Sequence, residues 1–376
     1  MFTTEYTRDF MNTIHKKKKI GIVTGGGDCP GLNAVIRAIV KAADLKGWES
    51  TGIYGGYDGL LPPMKTRPLA LRDMDGLLVR GGTILGTASS GPFSAKTGQG
   101  KTRPIDPGIL TRAKANFDRE NLSALVAIGG DGTLSVALQM HEAGWPVVGV
   151  PKTIDNDLDA TLMTFGFDTA VSCAVDALDR LHSTAQSHDR VMVLEVMGRY
   201  AGWIAAQAGL AGGADVILIP EIPFNYDAVC RKIDRRKAEG KHFTLVIVAE
   251  GARLAGRDYV SKSLDDEERE IRLGGIGQQV AGEIQTRTGK ESRCVVLGHL
   301  QRGGTPTQFD RQLCTRFGVY AVQMIAQKQF GMMAALTGTG IAPVLLADAV
   351  DRIRIVPKDG ELVMTARALG ISFGDT

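Results

Sequence analysis

Twice along the chain a short apolar run stops at a glycine cluster that includes aspartate, and an apolar helical pattern follows. The first instance is "IGIVTGGGDCPGLN" (20–33) and the second "ALVAIGGDGTLS" (124–135). A short apolar run bounded by glycine predicts a buried strand. After the first, Val35, Ile36, Ile39, Val40 and Ala43 recur at helical spacing. After the second, Leu134 and Leu138 lie one turn apart and Gly144 is a stop signal. Strand, glycine turn and helix in that order leave few folds open, because strands buried on both faces need helices to cover them. Apolar runs at 147–150, 191–196, 216–219, 245–249 and 294–297 continue the alternation. Asp168 is expected to cap the helix carrying Val171, Ala174, Val175, Leu178 and Leu181. The fold class is α/β, with mainly parallel sheets flanked by helices.

Length and charge narrow the function classes. A chain of 376 residues suggests two or three domains. Lys plus Arg is 44 and Asp plus Glu is 41, a net charge of +3, which favours neither nucleic acid nor a membrane surface as partner. No apolar run reaches the ~18 residues of a membrane span. Lysines 16–19 read as a solvated lead-in to the first strand, and "LDDEERE" (264–270) as an exposed helix face or loop. The five cysteines (Cys29, Cys173, Cys230, Cys294, Cys314) form no CxxC pair, so reduced thiols in a cytoplasmic protein are expected rather than a zinc site.

In open sheets of this kind, ligands sit beyond the carboxyl ends of the strands. Two glycine turns there bring backbone N–H groups and helix N-termini within reach of phosphate. Neither turn ends in the Gly-Lys-Ser/Thr of a Walker A loop, and neither has GxGxxG spacing. Asp131 beside a phosphate needs a cation between them, and Mg²⁺ suits that place. "PKTIDNDLD" (151–159) then packs Asp155, Asp157 and Asp159 behind Lys152. Asp155 or Asp157 can take a proton from an attacking hydroxyl while the other orients the metal or its water; an Asx-turn is the plainer alternative. Arg190, Arg199, Arg293 and Arg302 lie near strand ends or in glycine loops and suit phosphate oxygens. Glu250 is a candidate for sugar hydroxyls, and His299 for a phosphate or hydroxyl.

Taken together, "GGDCPGLN", "GGDGT", "PKTIDND", "FGFDTA", "EVMGRYAGW", "GGADVILIPE", "VAEGA" and "GHLQRGG" resemble the 6-phosphofructokinases over about residues 18–325. The resemblance implies two similar Rossmann-like domains with the active site in the cleft between them. Residues 1–166 with about 301–350 would bind the phosphoryl donor and Mg²⁺. Residues 167–300 would bind fructose 6-phosphate, with the C-terminal tail returning to them. The implied reaction phosphorylates the 1-hydroxyl of fructose 6-phosphate, a step of glycolysis. It implies Asp155 as general base, with Arg199 and Lys152 catalytic, and Asp131 on the metal with Asp157 nearby. Gly26, Gly27, Gly132 and Thr133 would line the donor site. Thr153, Met197, Gly198, Arg199, Glu250, His299 and Arg302 would contact the sugar phosphate. Arg190 and Arg293 would reach it from a neighbouring subunit, which implies a homodimer or homotetramer with shared sites.

The family uses ATP or pyrophosphate. Pyrophosphate users place aspartate where this chain has Gly132, and its charge would repel the α-phosphate of ATP. They also carry lysine at the position of Lys152. Gly132 therefore points to ATP and Lys152 to pyrophosphate, and Gly132 weighs more because an added cation accommodates either donor. A non-catalytic sugar-phosphate-binding subunit is the third reading; Asp131, Asp155 and Arg199 argue against it. The nucleotide pocket departs from the bacterial pattern at Ser89, Ser90 and Val136. The bacterial effector pattern is met at Arg37 and "GKH" (240–242) but not at His182.

Overall fold

The computed structural model describes residues 17–88, 90–95, 102–256, 274–350 and 352–376; the stretch 264–270 and Ser89 lie outside them. The first apolar run is β1 (Lys19–Thr24), followed by α1 (Leu32–Asp44). Then come β2 (Glu49–Ile53), β3 (Thr66–Leu69), α2 (Pro107–Arg119), β4 (Ala124–Gly129), α3 (Asp131–Glu142) and β5 (Val147–Pro151). The long helix α4 (Phe167–His188) leads to β6 (Val191–Val196), α5 (Trp203–Ala211), β7 (Val216–Leu218), α6 (Tyr226–Ala238) and β8 (Thr244–Ala249). After α7 (Ile276–Thr288), β9 (Ser292–Val296) and α8 (Gln308–Ala326), the chain forms the hairpin β10 (Met332–Thr337) and β11 (Gly340–Leu345). Two short helices, α9 (Leu346–Val350) and α10 (Glu361–Ala368), follow.

There are two sheets. The larger has strand order β11-β10-β5-β4-β1-β2-β3, and only the edge strands β3 and β11 pair antiparallel. The smaller, β7-β8-β6-β9, is parallel throughout. Alternation along β4 divides the packing: Val126 and Ile128 face α1 and α8, whereas Leu125 and Ala127 face α2 and α3. In the small sheet Leu194 and Ile247 face the core shared with α4 and α5, and Val193 and Val246 face α6 and α7. One apolar core thus runs from the α1 and α8 face of the large sheet through α4 and α5 to the small sheet. Gly318 lets α8 lie hard against α1, since a Cβ there would meet Ala38 Cβ at 2.6 Å.

The cap expected at Asp168 is replaced by another device. Gly166 stands before α4 at φ 91°, a left-handed conformation that favours glycine, and Asp168 lies inside the first turn. The helix's free N–H groups are taken by Asp310 of α8. Its Oδ1 accepts from Gly166 N (2.9 Å), and its Oδ2 from Thr169 N (2.9 Å) and Thr169 Oγ1 (2.5 Å). Asp168 in turn accepts from Thr307 Oγ1 at the start of α8 (2.5 Å). No helix among the described residues is long and apolar enough to cross a membrane.

Candidate active site

Strand order places the first cluster of functional residues. After β1 the chain crosses to one face of the large sheet, and after β4 to the other. A crevice opens between these neighbours at their carboxyl ends, where open sheets bind ligands. The turn 25–28 and the N-terminus of α3 line it. Thr133 is buried between the two turns: a Cβ on Gly25 would lie 2.6 Å from its Oγ1, and one on Gly129 only 2.3 Å from its Cβ. Gly26, at φ 75°, donates to Ala88 O (2.9 Å) and accepts from Thr87 Oγ1 (2.5 Å). Both its backbone polar groups are committed, so it contributes shape to a donor site rather than hydrogen bonds. Asp131 and Gly132 are the first residues of α3, at its positive end.

Lys152 and the acidic turn follow β5, beside β4. The lysine side chain is buried, and its ammonium donates to the carbonyl of Gly27. Burial lowers its pKa, with Asp157 and Asp28 among the charges that oppose the shift. The turn itself is locked by local bonds. Thr153 Oγ1 accepts from Asp155 N (3.1 Å), and Thr164 Oγ1 donates to Thr153 O (2.8 Å). Buried Asn156 adopts φ 52° and accepts from Thr164 N through Oδ1 (3.0 Å). Asp155 Oδ1 is shielded from solvent and has no hydrogen-bond partner. Burial first, then repulsion by Asp157, pushes its carboxyl up to about 7, while Arg302 and Arg199 pull it down. Asp157 is also raised by burial, against a hydrogen bond from Thr153 and the charge of Lys152.

The small sheet supplies the other side. Met197, Gly198 and Arg199 follow β6, and Glu250 follows β8, its neighbour. The two loops interlock: Glu250 N donates to Val196 O (2.8 Å) and Gly251 N to Gly198 O (3.1 Å). Gly198 stands at φ 135°, and a Cβ on it would lie 2.8 Å from Ala201 O. Burial raises the Glu250 pKa, and Arg199 opposes that rise most strongly. Glu250, Met197 and His299 line one cavity of about 250 Å³ with Glu195, Val196, Gly274, Val296 and Gly298. Arg302 bridges to the large sheet: a Cβ on Gly27 would lie 2.7 Å from its Nη1, which donates to Asp28 O (3.2 Å). Asp155, Asp157, Lys152, Arg199, Glu250 and Arg302 thus form one electrostatic cluster.

Arg190 and Arg293 lie elsewhere. They flank the starts of β6 and β9, where both pair with Glu291, at 2.9 Å and 2.5 Å. This is the amino end of the small sheet, about 20 Å of strand away from Met197. Proximity to a strand end therefore misplaces them in a single-chain site. Two residues that sequence reasoning passed over also belong here. Gln301 is fully buried and accepts from Met197 N through Oε1 (2.8 Å). Asn156 carried a signal, because asparagine tolerates the left-handed region; Gln301 carried none.

The donor set suits Mg²⁺. It consists of the carboxylates of Asp131, at the start of α3, and Asp157, and the described residues hold no cluster of three or more His, Cys, Asp or Glu able to cage a metal alone. Mg²⁺ takes one or two protein carboxylates and completes its shell with phosphate oxygens and water.

Comparison with known proteins agrees with this geometry. The chain is 52% identical over 362 residues to the ATP-dependent 6-phosphofructokinase of Chloroflexus aggregans, covering 96% of this chain and 99% of that protein. It is 51% identical over 345 residues to the pyrophosphate–fructose 6-phosphate 1-phosphotransferase of Amycolatopsis methanolica, covering 91% and 97%. The crystal structure of Pichia pastoris phosphofructokinase in the T-state matches with a TM-score of 0.78 at 31% identity. That match covers 96% of this chain, which spans only 37% of the length of the yeast chain. The model of the family described as Phosphofructokinase matches residues 19–325, and the chain belongs to that family.

Proposed function

We propose that the chain phosphorylates fructose 6-phosphate at its 1-hydroxyl, giving fructose 1,6-bisphosphate, with ATP as donor. One observation carries this: a buried, unpartnered carboxyl oxygen on Asp155 stands between glycine-rich turns on one sheet and arginines reaching from the other. The half built on the large sheet binds the donor, and the half built on the small sheet binds the sugar phosphate. Asp155 accepts the proton of the 1-hydroxyl as its oxygen attacks the terminal phosphorus and the bond to the leaving phosphate breaks. Arg199 and Arg302 offset charge on the transferring group and the sugar phosphate. Lys152 holds the glycine turn by its Gly27 carbonyl and faces the donor with positive charge. Thr153 braces the turn through the Asp155 N–H. Mg²⁺, held by Asp131 with Asp157 nearby, would supply charge neutralisation at the donor oxygens. Arg190 and Arg293 serve the site of a neighbouring subunit in a homodimer or homotetramer.

Gly132 supports ATP, because position 132 carries no side-chain charge to repel an α-phosphate. The buried Lys152 and the Amycolatopsis methanolica relative favour pyrophosphate as the second reading. The test is a donor comparison with purified protein, fructose 6-phosphate and Mg²⁺. ATP is expected to give the higher kcat/KM. Faster turnover with pyrophosphate overturns the donor, and no fructose 1,6-bisphosphate from either overturns the reaction.

A further inference from the structure

The segment after β11 has no role in the account above, and it lies beyond the residues matched by the family model. It leaves the large sheet through α9 and then runs behind the acidic turn. Ile353 bridges Leu158 in antiparallel register. Arg354 N donates to Asp157 O (2.9 Å), and Arg354 Nη1 reaches Asn156 O (3.4 Å). Two successive carbonyls of the turn that carries the proton acceptor are thus held by one residue. The turn needs holding, since Asn156 occupies a left-handed conformation that a non-glycine residue keeps only when its surroundings enforce it. Thr164 secures it from one side and Arg354 from the other.

The same residue grips the opposing half. The Arg354 guanidinium lies 4.5 Å from the ring centroid of Trp203, and Trp203 Nε1 donates to Arg354 O (3.1 Å). Trp203 is the first residue of α5, directly after the loop that presents Arg199. Two positions further on, Val356 N donates to Glu221 Oε1 (2.8 Å), and Glu221 also accepts from Gly202 N (3.0 and 3.2 Å). The neighbouring pair of Arg352 with Asp159 (2.6 Å) is largely exposed on the arginine side and adds little.

We infer that residues 353–356 form a positioning element for phosphoryl transfer, in which Arg354 fixes the proton-accepting turn against the root of the Arg199 loop. This deepens the proposed function and rests on the assignment of Asp155 as base. Arg354 is a positioning residue and touches no substrate.

The experiment uses the full chain carrying Arg354→Ala, Arg354→Lys, Trp203→Phe or Asp155→Ser. It measures kcat and KM for both substrates below the melting temperature of each variant, with melting followed separately. Arg354→Ala keeps the backbone bond to Asp157 and loses the guanidinium contacts. It is expected to lower kcat at least ten-fold while both KM values stay within three-fold. Arg354→Lys should recover part of that loss, and Trp203→Phe, which keeps a smaller aromatic ring and loses the indole N–H, should lower kcat two- to five-fold. A kcat for Arg354→Ala within two-fold of wild type overturns the inference, whatever its melting temperature. If Arg354→Ala does not fold, wild-type kcat in both Arg354→Lys and Trp203→Phe overturns it. Asp155→Ser separates the two claims: full turnover there removes the base assignment. An inactive Asp155→Ser beside a fully active Arg354→Ala removes the positioning role alone.

Discussion

At the scale of single residues, the base role proposed for Asp155 rests on an Oδ1 that the chain leaves without a partner and surrounds with both signs of charge. A general base of this kind typically contributes 10²–10⁴-fold. Asp155→Ser should therefore lower kcat by about 10²–10⁴-fold and leave fructose 6-phosphate binding, measured by calorimetry, within a few-fold of wild type. Its carboxyl is pushed up to about 7, so the protonated form persists to neutral pH and cannot accept a proton. Wild-type kcat/KM should accordingly fall as pH drops below about 7, and a flat profile between pH 6 and 8 contradicts the assignment. What the sequence makes legible is the cluster itself: three aspartates in five residues after an apolar run ask to be explained, as chemistry or as an Asx-turn. The supports are not legible. Gln301 lies 104 positions from the Met197 N–H it receives, and Arg302 lies 274 from the Asp28 carbonyl it reaches. Local spacing carries no information about pairs so far apart.

At the scale of elements, the strands with the strongest apolar runs are readable because burial on both faces forces that composition. The two outermost strands on each side, β2 and β3, β10 and β11, are not, since they mix apolar with polar, glycine or proline residues: "ESTGI", "TRPL", "MMAALT", "GIAPVL". Helix ends mislead in another way. Aspartate near the start of α4 reads as a cap, yet the cap comes from Asp310 of a helix far along the chain. Burial pushes the Asp310 carboxyl from 3.8 to about 6, against three hydrogen bonds from α4. A raised carboxyl pKa stabilises the fold fully below the unfolded value, and that stabilisation is lost as pH rises through the folded value. The whole term is about 3 kcal/mol, and roughly half of it falls between pH 5 and 7.5. The difference in unfolding free energy between wild type and Asp310→Asn should therefore shift by about 1–1.5 kcal/mol against wild type over that range. Denaturant titration at the two pH values measures it, and a shift of opposite sign refutes the assignment.

At the scale of the whole molecule, the small sheet carries arginines at both ends. Its carboxyl end faces the chain's own acidic turn, and its amino end presents Arg190 and Arg293 outward beside Glu291. If these arginines serve a second subunit, two inactive variants can rescue each other. Arg293→Ala and Asp155→Ser, dissociated and reassembled together, place both lesions in one site of a hybrid dimer and leave the other intact. Random pairing should then restore about a quarter of wild-type activity. Were Arg293 to act in its own chain, every site would carry one lesion and mixing would restore nothing. The segment that backs the acidic turn has a consequence for biosynthesis. Every group proposed to touch substrate, from Gly26 to Arg302, leaves the ribosome before Arg354 does, and Ser372 closes onto β7 later still. On the proposed reading a nascent chain can hold its full set of reacting groups and still lack the brace that aligns them, so catalytic competence waits for residues 353–356.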